Sequence, residues 1–197
     1  MDYLNYGQHR KLLKDNHIII KNFIKEKDAK SLRKELVNYP DNEEDSLCRA
    51  SGIHNPVWGL EILTDQCFNL SKIVGDNLLP TYCYARDYRN NSILPMHKDR
   101  PSCEISLTIH LDGDSSWPIW IKTPEGDNVS VDLQSGDAMI YLGCIAPHWR
   151  ENYTGNQYSQ LFLHYVRSRG ENWEHYFDIP TYHKVLEMEL EKKMSLK

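Results

Sequence analysis

From Thr81 onward the chain breaks into eight short segments rich in Tyr, Ile, Val, Trp and Thr, separated by turns. They are TYCYARDYR, ILPMHKD, EISLTIHLD, WPIWIKT, NVSVDLQ, DAMIYLG, APHWREN and YSQLFLHYV. Asn90-Asn91, Gly113-Asp114, Glu125-Gly126-Asp127, Gln134-Ser135-Gly136 and Thr154-Gly155-Asn156 supply turns between them. Many short β-branched and aromatic runs with regular turns specify a sandwich or a barrel. The third segment shows the strand period directly. Ile105, Leu107, Ile109 and Leu111 take one face; Glu104, Ser106, Thr108 and His110 take the other. That polar face is either the lining of a cavity or a solvated outer surface, and alternation alone leaves both open.

The first eighty residues read differently. The β-branched run His17–Ile20 predicts a strand. Ala29, Leu32, Leu36 and Val37 recur at helical spacing, and Pro40 ends that pattern. Residues 41–56 are polar and broken by Gly and Pro, which predicts a loop. Residues 57–78 form a second helical pattern, marked by Leu60, Leu63, Cys67, Leu70 and Val74 and closed by Pro80. Trp173, Tyr176 and Phe177 precede a last helical stretch marked by Val185, Leu186, Met188 and Leu190. The expected organisation is one mainly β domain with flanking helices. Residues 1–80 support it, 81–168 form a catalytic core and 169–197 a helical tail.

Composition removes several classes. A net charge of -5 argues against a general polyanion-binding surface, and so against nucleic acid. No run approaches the roughly 18 apolar residues of a membrane span, and the first residues lack the apolar core of a secretory signal. The five cysteines are odd in number and include no CxxC pair, as expected of reduced thiols in a cytoplasm.

The chemistry sits in two of the strand segments. His97-Lys98-Asp99 ends the second segment, and residues two apart on a strand project from the same face. His148 lies in the seventh. In a jelly roll the second and seventh strands are antiparallel neighbours. The three side chains can then meet on one face of a metal, as in the facial triad of non-haem Fe(II) oxygenases. A lone HxD is a weak signal, and nine histidines make chance pairs common. The strand context strengthens it, together with the Gly136-Asp137 turn that opens the strand before the distal histidine.

Three stretches, LPMHKDRPSCEISLTIHLD, SGDAMIYLGCIAPHWREN and YSQLFLHYV, resemble the double-stranded β-helix core of the 2-oxoglutarate and Fe(II)-dependent dioxygenases. HIIIKNFIKEKDAKSLRKEL is similar to the lead-in of their prolyl-hydroxylase-like branch. The resemblance implies a cupin-like jelly roll with His97, Asp99 and His148 as iron ligands. It implies Fe(II), 2-oxoglutarate and O2 as cofactor and cosubstrates, with ascorbate as a possible reductant. It favours hydroxylation of a peptide or protein side chain, or of an amino acid. The family places a cation about ten residues after the distal histidine, for the far carboxylate of 2-oxoglutarate. This sequence has Gln157, Tyr158 and Gln160 there. Arg150 is the nearest substitute, unless it pairs with Glu151 or a surface carboxylate; Lys122 and Arg86 follow. Tyr84, Thr108 and Ser106 are further cosubstrate contacts. Arg100 either meets substrate at the mouth of the site or bonds Glu104. His110 and Trp120 complete the expected substrate contacts. His164 is expected to pack in the sheet and bond a backbone group. His9, His17, His54, His175 and His183 are expected to be surface or structural. Two other readings stay open: a non-catalytic jelly-roll or cupin binding module, and a metal-dependent oxygenase that uses no 2-oxoglutarate.

Overall fold

The computed structural model describes residues 6–39 and 43–179; Pro40, His183 and the expected tail helix lie outside them. Helices α1 (Tyr6–Asp15), α2 (Glu26–Val37) and α3 (Val57–Val74) accompany strands β1 (His17–Ile20), β2 (Glu43–Asp45) and β3 (Ala50–His54). The eight predicted segments become β4 (Leu78–Arg89), β5 (Leu94–His97), β6 (Ile105–Gly113), β7 (Ile119–Lys122), β8 (Asn128–Val131), β9 (Ala138–Tyr141), β10 (His148–Arg150) and β11 (Gln157–Arg167). They form two antiparallel sheets. The major sheet runs β1-β9-β6-β11-β4-β3-β2 and the minor sheet β5-β10-β7-β8. The expected jelly roll is present, mainly β with helices on one side.

The two faces of β6 show how the core is divided. Ile105, Leu107, Ile109 and Leu111 are buried in one apolar cluster with Ala29 and Leu36 of α2 and Leu63, Leu70 and Val74 of α3. Fully burying each such side chain contributes about 1.5–3 kcal/mol. The opposite face carries Ser106, Thr108 and His110, all buried. It therefore lines the interior between the sheets rather than meeting solvent.

The loop expected over residues 41–56 is corrected. β2 pairs with β3, and β3 continues the sheet from the edge of β4. The small residues Ala50, Ser51 and Gly52 hid this strand from the pattern. Packing selects them: a Cβ on Gly52 would overlap the Tyr84 hydroxyl. The second correction concerns α3, which stops at Val74 instead of reaching Pro80. Gly75 adopts φ +75 and its N–H donates to Ser71 O, a left-handed helix end. Pro80 instead lies in β4, opposite Tyr165 and beside a register shift, where a missing N–H is tolerated.

The turn before β9 depends on Gly136, at φ +89. Its N–H donates to His110 O at 2.8 Å and its carbonyl accepts from Ile24 N at 3.1 Å. A Cβ would overlap the Ile24 carbonyl. Gly136→Ala should cost about 1–3 kcal/mol in urea denaturation, from φ strain and displacement of that carbonyl. No helix among the described residues is long and apolar enough to cross a membrane.

Candidate metal centre

The antiparallel register of β5 and β10 places His148 opposite His97, with ring centroids 4.3 Å apart. Asp99 follows β5, and its backbone N–H donates to Gly143 O at 2.9 Å. Asp99 Oδ1 lies 3.5 Å from His97 Nε2 and 3.4 Å from His148 Nε2. Each histidine is oriented from behind by a carbonyl 2.9 Å from Nδ1, Pro95 O for His97 and Ala146 O for His148. A carbonyl only accepts, so Nδ1 carries a proton and Nε2 is the atom turned inward toward Asp99. One ligand atom from each of His97, Asp99 and His148 lies within 4.8 Å of the other two. This donor set suits Fe(II) and leaves positions open for other ligands.

Charge is already arranged for a cation. Burial alone would raise the Asp99 carboxyl, but the imidazoles of His148 and His97 outweigh it and hold the group far below the usual carboxylate range. The Asp99 hydrogen bond raises His97 above its ordinary value of 6.5, against partial desolvation. A metal must displace the His97 proton. Metal affinity should therefore fall, by up to about tenfold per unit, as pH drops through that raised value. Titration calorimetry with Mn2+ across about pH 5–8 checks this. Without metal the sign for stability is opposite. The His97 contribution is present below its ordinary value and lost as pH rises through the raised one. The Asp99 contribution is present above its ordinary 3.8 and lost as pH falls.

Two supporting residues were not marked by the sequence as neighbours of Asp99. Ser106 donates to Asp99 Oδ2 at 3.0 Å. Gly143 lies so close that a Cβ would overlap Asp99 Oδ2 and Cys103 O. Gly143→Ala should displace the carboxylate and weaken metal binding about 10- to 100-fold, as measured by Mn2+ titration. Ser106 could be placed by its inward parity on β6; nothing local marked Gly143.

Arg150 shares a cavity of about 110 Å³ with His97, Asp99 and His148. Only 2% of Arg150 is exposed. Its guanidinium lies over the Trp117 and Tyr158 rings, 4.9 and 5.0 Å from their centroids, and Nη1 donates to Trp117 O. With its amide oxygen turned toward the surrounding donors, Gln160 accepts from Arg150 Nη2 at 3.1 Å. The Gln160 position on the last strand, expected to carry the cation, thus receives one from the opposite sheet. Glu151 does not pair with Arg150; its carboxylate accepts from Trp149 Nε1. Among the described residues no carboxylate forms an ion pair with Arg150.

The other expected contacts are redistributed. On β7, Ile119 and Ile121 point inward, so Lys122 and Trp120 sit on the half-exposed face, where Trp120 stacks on Trp149. Neither lines the metal cavity. Arg86 points inward on β4 but pairs with Asp45 at 2.9 Å. Tyr84 packs against the His54 ring; Tyr82 and Tyr88 of the same face line the cavity instead. The Tyr88 hydroxyl is buried without a hydrogen-bond partner among the described residues. Thr108 bonds the Gln160 amide, behind Arg150 rather than in the cavity. His110 stacks on Tyr158 and lines a separate cavity with Asp132 and Gln134. Burial, then the nearby Arg150 charge, lowers His110 to about 4. Arg100 grips Asp178 through two hydrogen bonds of 3.0 and 2.8 Å and lies over Tyr82, while Glu104 bonds Arg167. His164 is corrected most. Its Nδ1 is 2.9 Å from Ser106 Oγ, not on a backbone group, and the ring lines the metal cavity.

The chain matches no protein-family model and no curated protein. Solved structures do match. A 2OG-Fe(II) oxygenase-family oxidoreductase from Burkholderia pseudomallei aligns with TM-score 0.70 at 14% identity, over 85% of this chain and 92% of that one. HygX from Streptomyces hygroscopicus, with nickel and 2-oxoglutarate bound, gives 0.70 at 10% identity over 83% and 87%. A Pseudomonas putida prolyl-4-hydroxylase gives 0.66 at 12% identity over 83% and 98%. The chain has the fold of the 2-oxoglutarate and Fe(II) oxygenases.

Proposed function

We propose that this protein is an oxygenase that uses Fe(II), O2 and 2-oxoglutarate to hydroxylate a peptide or protein side chain, or an amino acid. One observation carries the reading. A single cavity holds both the three-ligand set and a buried Arg150 with no carboxylate in an ion pair with it. Such a cation calls for an anionic ligand, because an unpaired buried charge is costly. Fe(II) with 2-oxoglutarate would supply the activation of O2 that turns a C–H bond into C–OH.

The chain's own groups have separate tasks. His97, Asp99 and His148 hold the metal. Arg150 and the Tyr88 hydroxyl orient the far carboxylate of the cosubstrate, the guanidinium through its planar fork. Trp117 and Tyr158 keep water from that guanidinium. The side chain of His97 is 37% exposed and that of His148 is 2%, so substrate approaches from the His97 side. The net charge of -5 favours a substrate other than nucleic acid, in a cytoplasmic setting without a membrane partner.

Purified protein with Fe(II), ascorbate and 2-oxoglutarate should form succinate slowly without added substrate. Anaerobic mixing should give a weak visible band from chelation of the metal by 2-oxoglutarate. Absence of both in a metal-loaded protein would leave the binding-module reading. Metal binding and O2 consumption without any response to 2-oxoglutarate would leave the other oxygenase class. If His97→Ala kept both signals, the ligand assignment would fall.

A further inference from the structure

Asp99 turns its two oxygens to different neighbours. Oδ1 faces the Nε2 atoms of His97 and His148, while Oδ2 accepts from Ser106. Ser106 Oγ also meets His164 Nδ1 at 2.9 Å, so one hydroxyl joins Oδ2 to a third imidazole in the cavity wall. Cys103 stands in the same wall, its Sγ 3.1 Å from the Tyr82 hydroxyl. One ligand atom from each of Asp99, Cys103 and His164 lies within 4.8 Å of the other two. Cys103 is 3% exposed and His164 6%.

We propose that Asp99, Cys103 and His164 form a second metal site, which takes a thiophilic divalent cation such as Zn2+ or Co2+ and shares Asp99 with the His97–Asp99–His148 set. The donors differ in kind between the two sites. Two imidazoles and a carboxylate suit Fe(II) or Mn2+, whereas a sulfur beside one imidazole and one carboxylate selects softer cations. Asp99 and Cys103 lie four residues apart in the connection between β5 and β6, and His164 reaches them from β11. Their convergence is therefore a property of the fold rather than of one local motif. Ser106 holds Asp99 and His164 in place. Binding replaces the Cys103 S–H bond by a metal–sulfur bond and releases the proton to solvent, with no change of oxidation state. The site goes beyond the oxygenase reading and stands without it.

Co2+ titration tests it, because a thiolate ligand gives a near-ultraviolet sulfur-to-cobalt charge-transfer band. The expected result is such a band in the full chain with excess Co2+. It should persist in the His97→Ala/His148→Ala double variant, saturating there at one equivalent. It should disappear in Cys103→Ser and remain in Cys144→Ser, the neighbouring half-buried thiol. No band in the folded wild type at excess Co2+, or a band that survives Cys103→Ser, overturns the proposal. If the double variant does not fold, the comparison of wild type with Cys103→Ser decides alone. Mn2+ binding and succinate formation report on the other ligand set, so failure of one reading is visible separately from failure of the other.

Discussion

Arg150→Ala will weaken 2-oxoglutarate binding by about 30- to 1,000-fold, the roughly 2–4 kcal/mol expected when one partner of a buried charge pair is truncated. Anaerobic titration of the metal–cosubstrate band measures it. Mn2+ affinity should change little, because Arg150 touches none of the three ligands through a hydrogen bond or ion pair that the structure shows. The two effects thus separate cosubstrate anchoring from metal binding. Arg150→Lys should recover only part of the loss. A lysine keeps the charge but loses the planar fork and its stacking over Trp117 and Tyr158. If 2-oxoglutarate bound Arg150→Ala as tightly as wild type, the anchor would lie elsewhere. Arg86 would be the next inward-facing candidate, although Asp45 already engages it.

His148→Ala will abolish succinate formation and lower Mn2+ affinity at least about 100-fold, beyond the 10- to 100-fold typical of supporting residues. This ring is 98% buried and is the register partner of His97, so no neighbour can take its place. β10 is short, and folding must be checked in the same experiment. At 100 times its dissociation constant, Mn2+ should stabilise wild type by about 2.7 kcal/mol. It should leave the variant's denaturation curve nearly unmoved. Mn2+ is the right probe because it is a hard cation and a thiolate does not favour it. A variant that folds and still responds to Mn2+ would exclude His148 as a ligand.

Much of the fold was legible because strand period and turn chemistry are local. All eight core segments became strands, and the spacing of His97 and Asp99 with a distant His148 named three side chains that converge in the fold. Alternation also put Ser106 on the polar face of β6, whereas His164 was expected on a backbone group; parity gives a face and no depth. Tyr84 and Tyr88 share one face of β4, yet only Tyr88 reaches the cavity. The strand parity of β7 could have turned Lys122 and Trp120 outward: Ile119 and Ile121 are the apolar pair. β3 escaped notice because Ala50, Ser51 and Gly52 give no β-branched signal; Tyr84 packing leaves no room for a Cβ at Gly52.

The sequence by itself determined the jelly roll, the order of its strands along the chain and the three side chains, His97, Asp99 and His148, that the fold brings together. These follow from periods of two residues and from turns a few residues long. Only the tertiary structure decided which cation shares a cavity with those side chains. Arg150 crosses from the minor sheet to Gln160 on the major sheet, and the position of a long side chain's tip depends on how two sheets face each other. It also decided that Gly143 must lack a side chain and that the two Asp99 oxygens face different neighbours. Those facts depend on close approach between segments far apart in the chain, which no local pattern encodes.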